Sequence, residues 1–117
     1  MDVTYYYPNI NDLYVDYGVA TIGSGVEYHN LDRICSLNVY KTKMVITFSN
    51  YITWNTASFN GFVTTSLTSG ATLTRPAYFI SSTVNTALMT LTSTSTSITL
   101  NWQGVSFTPA DILIIGW

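Results

Sequence analysis

Residues 27 to 33 read Glu-Tyr-His-Asn-Leu-Asp-Arg and form the densest polar constellation of the 117-residue chain. An imidazole, a carboxamide, a carboxylate and a guanidinium within one loop place donors and acceptors in short reach of each other. That kit suits the reading of saccharide hydroxyls or of a phosphate. The same residues also make an ordinary turn in which Asp32 caps the backbone and Arg33 pairs with it. Trp54 is the second candidate. It follows Tyr51-Ile52-Thr53 and leads into the polar run Asn55-Thr56-Ala57-Ser58. It either projects at a strand end, where an indole face can stack on the C–H face of a sugar, or packs into the core. The candidate saccharide-binding set is therefore His29, Asp32, Arg33 and Trp54.

Other chemistries find less in the sequence. Cys35 is the single cysteine and His29 the single histidine, so there is no zinc set, and the alternation around Cys35 makes it a buried structural thiol. Glu27 and Asp32 are formally a carboxylate pair for glycoside hydrolysis, but nothing isolates either in an apolar cleft that would raise its pKa. Asn9, Asn11, Asp12 and Asp16 offer oxygens but follow no calcium-loop spacing. Glycine-rich phosphate loops and nucleophile elbows are absent from the sequence. No catalytic residue, metal or cofactor is expected.

Composition narrows the class further. The chain is 47% hydrophobic and 15% aromatic, which argues for one packed domain over residues 1–117, yet only 9% of residues are charged. An average soluble protein has about 25%. Ser, Thr and Asn must supply the polar surface, as in many extracellular and virion-surface β proteins. A net charge of −2 with four scattered bases leaves no track for nucleic acid. The longest apolar run, Ile112 to Ile115, is too short for a membrane helix, and Met1 to Asn9 has no basic n-region or apolar h-region of a secretory signal.

The elements that must carry these side chains read as strands. In Thr86 to Thr92 the apolar residues are Ala87, Met89 and Leu91; in Ser97 to Trp102 they are Ile98, Leu100 and Trp102. The phase flips inside Ser93-Thr94-Ser95-Thr96, as a hairpin with both apolar rows on one face requires. Residues 13–19, 33–40 and 43–49 alternate too, the last two with Cys35, Leu37, Val39 and Met44, Ile46, Phe48 inward. Residues 51–54 keep the phase of 43–49 and are expected to continue that strand after Asn50. Gly23-Ser24-Gly25, Asn60-Gly61 and Ser69-Gly70 are expected breaks or turns, and Pro76 makes residues 72–80 either an edge strand or a strand bulged at that point. The last strand, Asp111 to Trp117, is apolar on both faces, so one face should meet the core and the other a neighbouring subunit. No stretch holds a helical period. The fold class is all-β: an antiparallel barrel or sandwich, jelly-roll-like.

The order of features in the C-terminal seventy residues resembles the receptor-binding head domains of tailed phages that infect Gram-positive bacteria. Leu67-Thr68-Ser69-Gly70, then Arg75-Pro76-Ala77-Tyr78-Phe79, the Ser/Thr hairpin and Ile112 to Trp117 stand where those heads carry a Leu-Pro-x-Gly-Tyr-Arg-Pro segment, a small-residue hairpin and a terminal strand near a trimer axis. The proline after Leu67 and the tyrosine before Arg75 are missing, and the gap between the glycine and the arginine is longer. The resemblance implies a non-enzymatic homotrimer on a virion tail tip or baseplate, contacting other tail proteins and binding a bacterial surface saccharide. It also implies a histidine, an acid, an arginine and a tryptophan around the sugar, Arg75 paired across a strand or subunit boundary, and Trp117 at the trimer contact. Tyr5-Tyr6-Tyr7-Pro8 reads as a strand docking on a neighbour or as an aromatic platform. Two rival classes share the composition: a structural virion subunit without glycan affinity, and a carbohydrate-binding module of a secreted enzyme.

Overall fold

The computed structural model describes residues 1–21, 27–65, 73 and 75–117. Two antiparallel five-stranded sheets face each other across one cluster of buried side chains. The first sheet runs β2 (Leu13–Val19), β1 (Asp2–Tyr6), β7 (Gly61–Thr65), β10 (Ser97–Asn101), β9 (Thr90–Ser93). The second runs β3 (Tyr28–Leu31), β4 (Cys35–Val39), β5 (Lys43–Phe48), β12 (Ile112–Gly116), β8 (Tyr78–Ser82). A small ribbon pairs β6 (Ile52–Thr53) with β11 (Ser106–Phe107). The sheets keep free edges, so of barrel and sandwich the molecule is a sandwich.

Alternation explains most of these strands. The register Cys35↔Phe48, Leu37↔Ile46, Val39↔Met44 puts the six inward residues of β4 and β5 in opposed pairs, and β12 extends the row with Leu113↔Ile46 and Ile115↔Met44. All eight are buried. The facing sheet answers with Val3↔Thr64 and Tyr5↔Phe62, continued by Ile98 and Leu100. The hairpin lies where the phase flip puts it, with Leu100 opposite Leu91 and the turn over Thr94–Thr96; Thr86–Leu88 is a single 3-10 turn ahead of it. Tyr28 ties the sheets together, its Oη 2.6 Å from the Met1 carbonyl and 3.1 Å from the Ala20 N–H. Cys35 packs in the core, where burial pushes its thiol up to about 12.

Three expectations are corrected. Residues 52–53 do not continue β5. They turn away and pair with β11, because Trp54 and Phe107 find their apolar surface between the sheets rather than along one. Asn60-Gly61 is no turn: Gly61 opens β7 where a Cβ would overlap the backbone of Leu100. Of residues 5–8, Tyr5 and Tyr6 belong to β1, an inner strand of its own sheet. Within the chain Arg75 bonds locally rather than across a strand, donating to the Tyr78 hydroxyl at 2.5 Å and lying 4.5 Å from that ring's centre. β8 follows Pro76 and is the edge strand expected there. The breaks at residues 23–25 and 69–70, and the segment 67–70 that enters the phage resemblance, lie outside the described residues.

The terminal strand is inner, not edge. Leu113 and Ile115 are fully buried, Trp117 is already 5% exposed in the single chain, and the opposite face shows Ile112, Ile80 and Tyr78 to solvent. Asp111 fastens its start: Thr83 Oγ1 donates to the carboxylate at 2.6 Å and the Thr108 N–H at 2.7 Å, and these bonds hold its carboxyl below the usual carboxylate range. A lowered folded-state value stabilises above the unfolded carboxylate pKa of about 3.9, and that contribution fades as the pH falls through the lowered value. Asp111→Asn is therefore expected to lower Tm at neutral pH, with the gap to the parent closing toward pH ~2. Thermal melts across that range test it; a gap independent of pH would assign the effect to lost packing.

Candidate functional site

At one end of the sandwich lies a cleft of about 510 Å³. One wall is the end of β1 and its neighbour β2, bringing Tyr5, Tyr7 and Tyr14. The other is the turn from β3 to β4, bringing Asp32, Arg33 and Ile34. The segment from β6 onward supplies Ile52, Thr53, Trp54 and Asn55, and Asn60 closes the site ahead of β7.

The aromatic wall is built from the core outward. Trp102, fully buried, donates its indole N–H to Tyr5 Oη at 3.0 Å; Tyr5 donates in turn to Asn60 Oδ1, and Asn60 Nδ2 donates to the Asn55 carbonyl at 3.0 Å. Burial raises the Tyr5 phenol far above its ordinary range, so it stays a neutral donor. A buried polar chain with each member satisfied rigidifies what it joins. Trp54 stacks on this base, 4.9 Å from Trp102 at 11° and 5.5 Å from Tyr5. One indole face is used by Trp102; the half-buried residue reaches the cleft beyond it. Trp54 is thus both a core-packing residue and a cleft residue. Its indole nitrogen is buried without a hydrogen-bond partner among the described residues.

The polar wall rests on an unusual backbone. Asn30, Asp32 and Arg33 take φ of 52°, 48° and 62°, the left-handed region that L-residues other than Asn and Asp rarely adopt. The turn is held from outside: Asn50 Nδ2 donates to the Arg33 carbonyl at 2.6 Å, Ser49 Oγ at 3.2 Å, and the Ser49 N–H donates to the Ile34 carbonyl at 2.7 Å. Asp32 accepts from the Tyr17 hydroxyl at 2.6 Å rather than from Arg33. Burial, and then the Asp32 carboxylate as acceptor and as charge, raise the Tyr17 phenol. The Asp32–Arg33 pair expected of an ordinary turn is not formed, and the Arg33 guanidinium has no hydrogen-bond or ion-pair partner among the described residues.

Of the four residues singled out in sequence, the structure brings Asp32, Arg33 and Trp54 to one cleft and leaves His29 outside it. His29 stands on edge strand β3, not in a loop. The register shift between Tyr28 and Leu31 turns both His29 and Asn30 to solvent while Tyr28 and Leu31 face the core. Sequence reasoning missed Tyr14 and Asn60, and offered Tyr5 and Tyr7 only within the aromatic-platform reading of residues 5–8. Among the described residues no group of three His, Cys, Asp or Glu side chains could hold a metal ion.

Fold and cleft together define an antiparallel β-sandwich with an aromatic and polar cleft at one pole. No family model, no curated protein and no solved structure matches the chain.

Proposed function

We propose that the chain is a non-enzymatic adhesin domain that binds a saccharide in the cleft at the Tyr5 end of the sandwich. The observation that carries the reading is Trp54. It is pinned from behind by Trp102 and Tyr5, and it lines a cleft whose other wall holds an unpaired guanidinium. A pyranose has a flat C–H face and a rim of hydroxyls, so a fixed ring for the face and fixed polar groups for the rim are what selective binding needs. Among the cleft's described residues Asp32 is the one carboxylate, and it is engaged by Tyr17. Hydrolysis of a glycosidic bond calls for two carboxyl groups flanking the bond. The phage resemblance would imply a homotrimer on a virion tail tip or baseplate, acting on a Gram-positive cell wall. In that setting weak single sites gain avidity from repetition.

Trp54→Ala is expected to weaken saccharide binding about tenfold or more, the scale of a central aromatic contact. Labelled protein and variant are applied to Gram-positive cells before and after chemical stripping of surface polysaccharide. Binding that disappears with stripping and with the variant supports the reading. A stable oligomer that binds no strain of a broad panel favours a structural virion subunit, for which the apolar outer row of Ile112, Ile80 and Tyr78 would be the assembly surface.

A further inference from the structure

Counting the hydrogen-bonding groups left over at the cleft narrows its ligand. Asn60 is spent within the protein, accepting from Tyr5 and donating to Asn55. Thr53 shares its hydroxyl with Ser106 at 2.7 Å, and one Asp32 oxygen accepts from Tyr17. What remains toward the cleft is one cation, the five N–H groups of Arg33, beside neutral groups that both donate and accept: the hydroxyl of Tyr14, that of Tyr7, whose oxygen also accepts from Asn55 at 3.4 Å, and the Asn55 carboxamide. Those neutral groups can answer a sugar's hydroxyls in either sense. The guanidinium is donor-only and charged, and an acidic rim would match it.

The Arg33 guanidinium is the group that sets a preference. It is exposed at the cleft mouth, it is carried on a backbone conformation unfavourable for arginine, and it has no partner among the described residues. A planar fork of donors matches a planar carboxylate in two parallel hydrogen bonds. Asp32, next along the chain, adds one negative charge to the same wall, which disfavours a doubly charged group such as a phosphate monoester.

Resting on the saccharide reading above, we propose that the cleft selects an acidic sugar, a hexuronate-type pyranose stacked on Trp54 with its carboxylate held by the Arg33 guanidinium.

The test titrates the full chain with a glucuronate-containing oligosaccharide, its carboxyl-reduced neutral counterpart and the matching sugar phosphate, with tryptophan fluorescence and calorimetry as readouts. Arg33→Gln, which keeps the backbone strain and removes the charge, and Arg33→Lys run alongside, with near-ultraviolet circular dichroism to verify the Trp54–Trp102 stack. The expected result is binding of the uronate about tenfold or more tighter than the neutral sugar. That preference should vanish in Arg33→Gln, recover only in part in Arg33→Lys, and shrink as NaCl rises from about 0.05 M to about 0.5 M. Equal affinity for uronate and neutral sugar overturns the acidic-sugar assignment and leaves the saccharide reading standing, as does a preference that survives in Arg33→Gln. Tighter binding of the sugar phosphate overturns the carboxylate assignment. No binding of any of the three by a folded protein overturns this inference. If binding to intact cells then also fails, the saccharide reading goes with it.

Discussion

Gly61→Ala is expected to unfold or severely destabilise the protein, by about 3 kcal/mol or more, because the added carbon has no space that side-chain movement can open. Built on the present backbone, the Cβ overlaps the Leu100 carbonyl oxygen, lies 2.9 Å from the Leu100 carbonyl carbon and 3.1 Å from the Asn101 Cα. All three are backbone atoms of β10, the strand hydrogen-bonded to β7 at this point. Relief requires the two central strands of the first sheet to part, and the cleft depends on that junction. Asn60 takes its N–H to Asn101 Oδ1 at 3.1 Å, and the Trp102 N–H bonds the Asn60 carbonyl at 3.1 Å. Parting β7 from β10 therefore disturbs the Trp102–Tyr5–Asn60 chain that backs Trp54. Urea melts give the stability, and the near-ultraviolet signal of the stacked indoles reports the cleft. As a control, Gly18→Ala tests a glycine with nothing within 4 Å of its added carbon, although its φ of +82° adds a strain of about 1 kcal/mol. A Gly61→Ala protein as stable as the parent would show that β7 and β10 do not approach as described.

How much of this was legible in the sequence depended on whether a feature was set by neighbours along the chain or across it. The Ser/Thr hairpin and the β4–β5 pair are local: a short turn joins strands whose inward residues follow a period of two, so phase alone fixes which side chains are buried. The conflict at Gly61 is non-local. An Asn-Gly pair has the residues of a turn, and only the approach of β10, some forty residues on, gives the glycine a different reason to be there. Trp54 failed to resolve for the same cause: its partner Trp102 lies just past the end of the distant strand β10, and alternation does not report that β6 leaves β5 to pair with β11. The polar stretch was visible as composition, but its division was not. A register shift in β3 sends His29 outward, whereas the left-handed turn delivers Asp32 and Arg33 to the cleft. The outer row on β8 and β12 could be read as two-faced from the sequence because every residue of Ile112 to Ile115 is apolar.

Arg33→Gly is expected to make the protein more stable and a poorer binder at once. At φ of 62° an L-residue suffers a clash between its Cβ and the adjoining backbone that costs about 1–2 kcal/mol, and glycine does not. Part of that gain is offset by the greater freedom glycine gives the unfolded chain, so a net gain of about 1 kcal/mol, or some 4 °C in Tm, is expected. The turn itself should persist, since it is clamped through main-chain atoms of residues 33 and 34 by Ser49 and Asn50, which the substitution leaves in place. Under the saccharide reading, affinity should fall about tenfold or more because the unpaired guanidinium is gone. Arg33→Asn separates the two effects: asparagine tolerates the left-handed region and retains a polar side chain but no charge, so it should share much of the stability gain and most of the binding loss. Opposite signs in stability and binding are the mark of a residue kept for its side chain against the preference of its backbone. Thermal melts and saccharide titration of the three proteins settle it. If Arg33→Gly loses stability, the Arg33 side chain packs as part of the fold; if binding is untouched, the cation plays no part in the cleft.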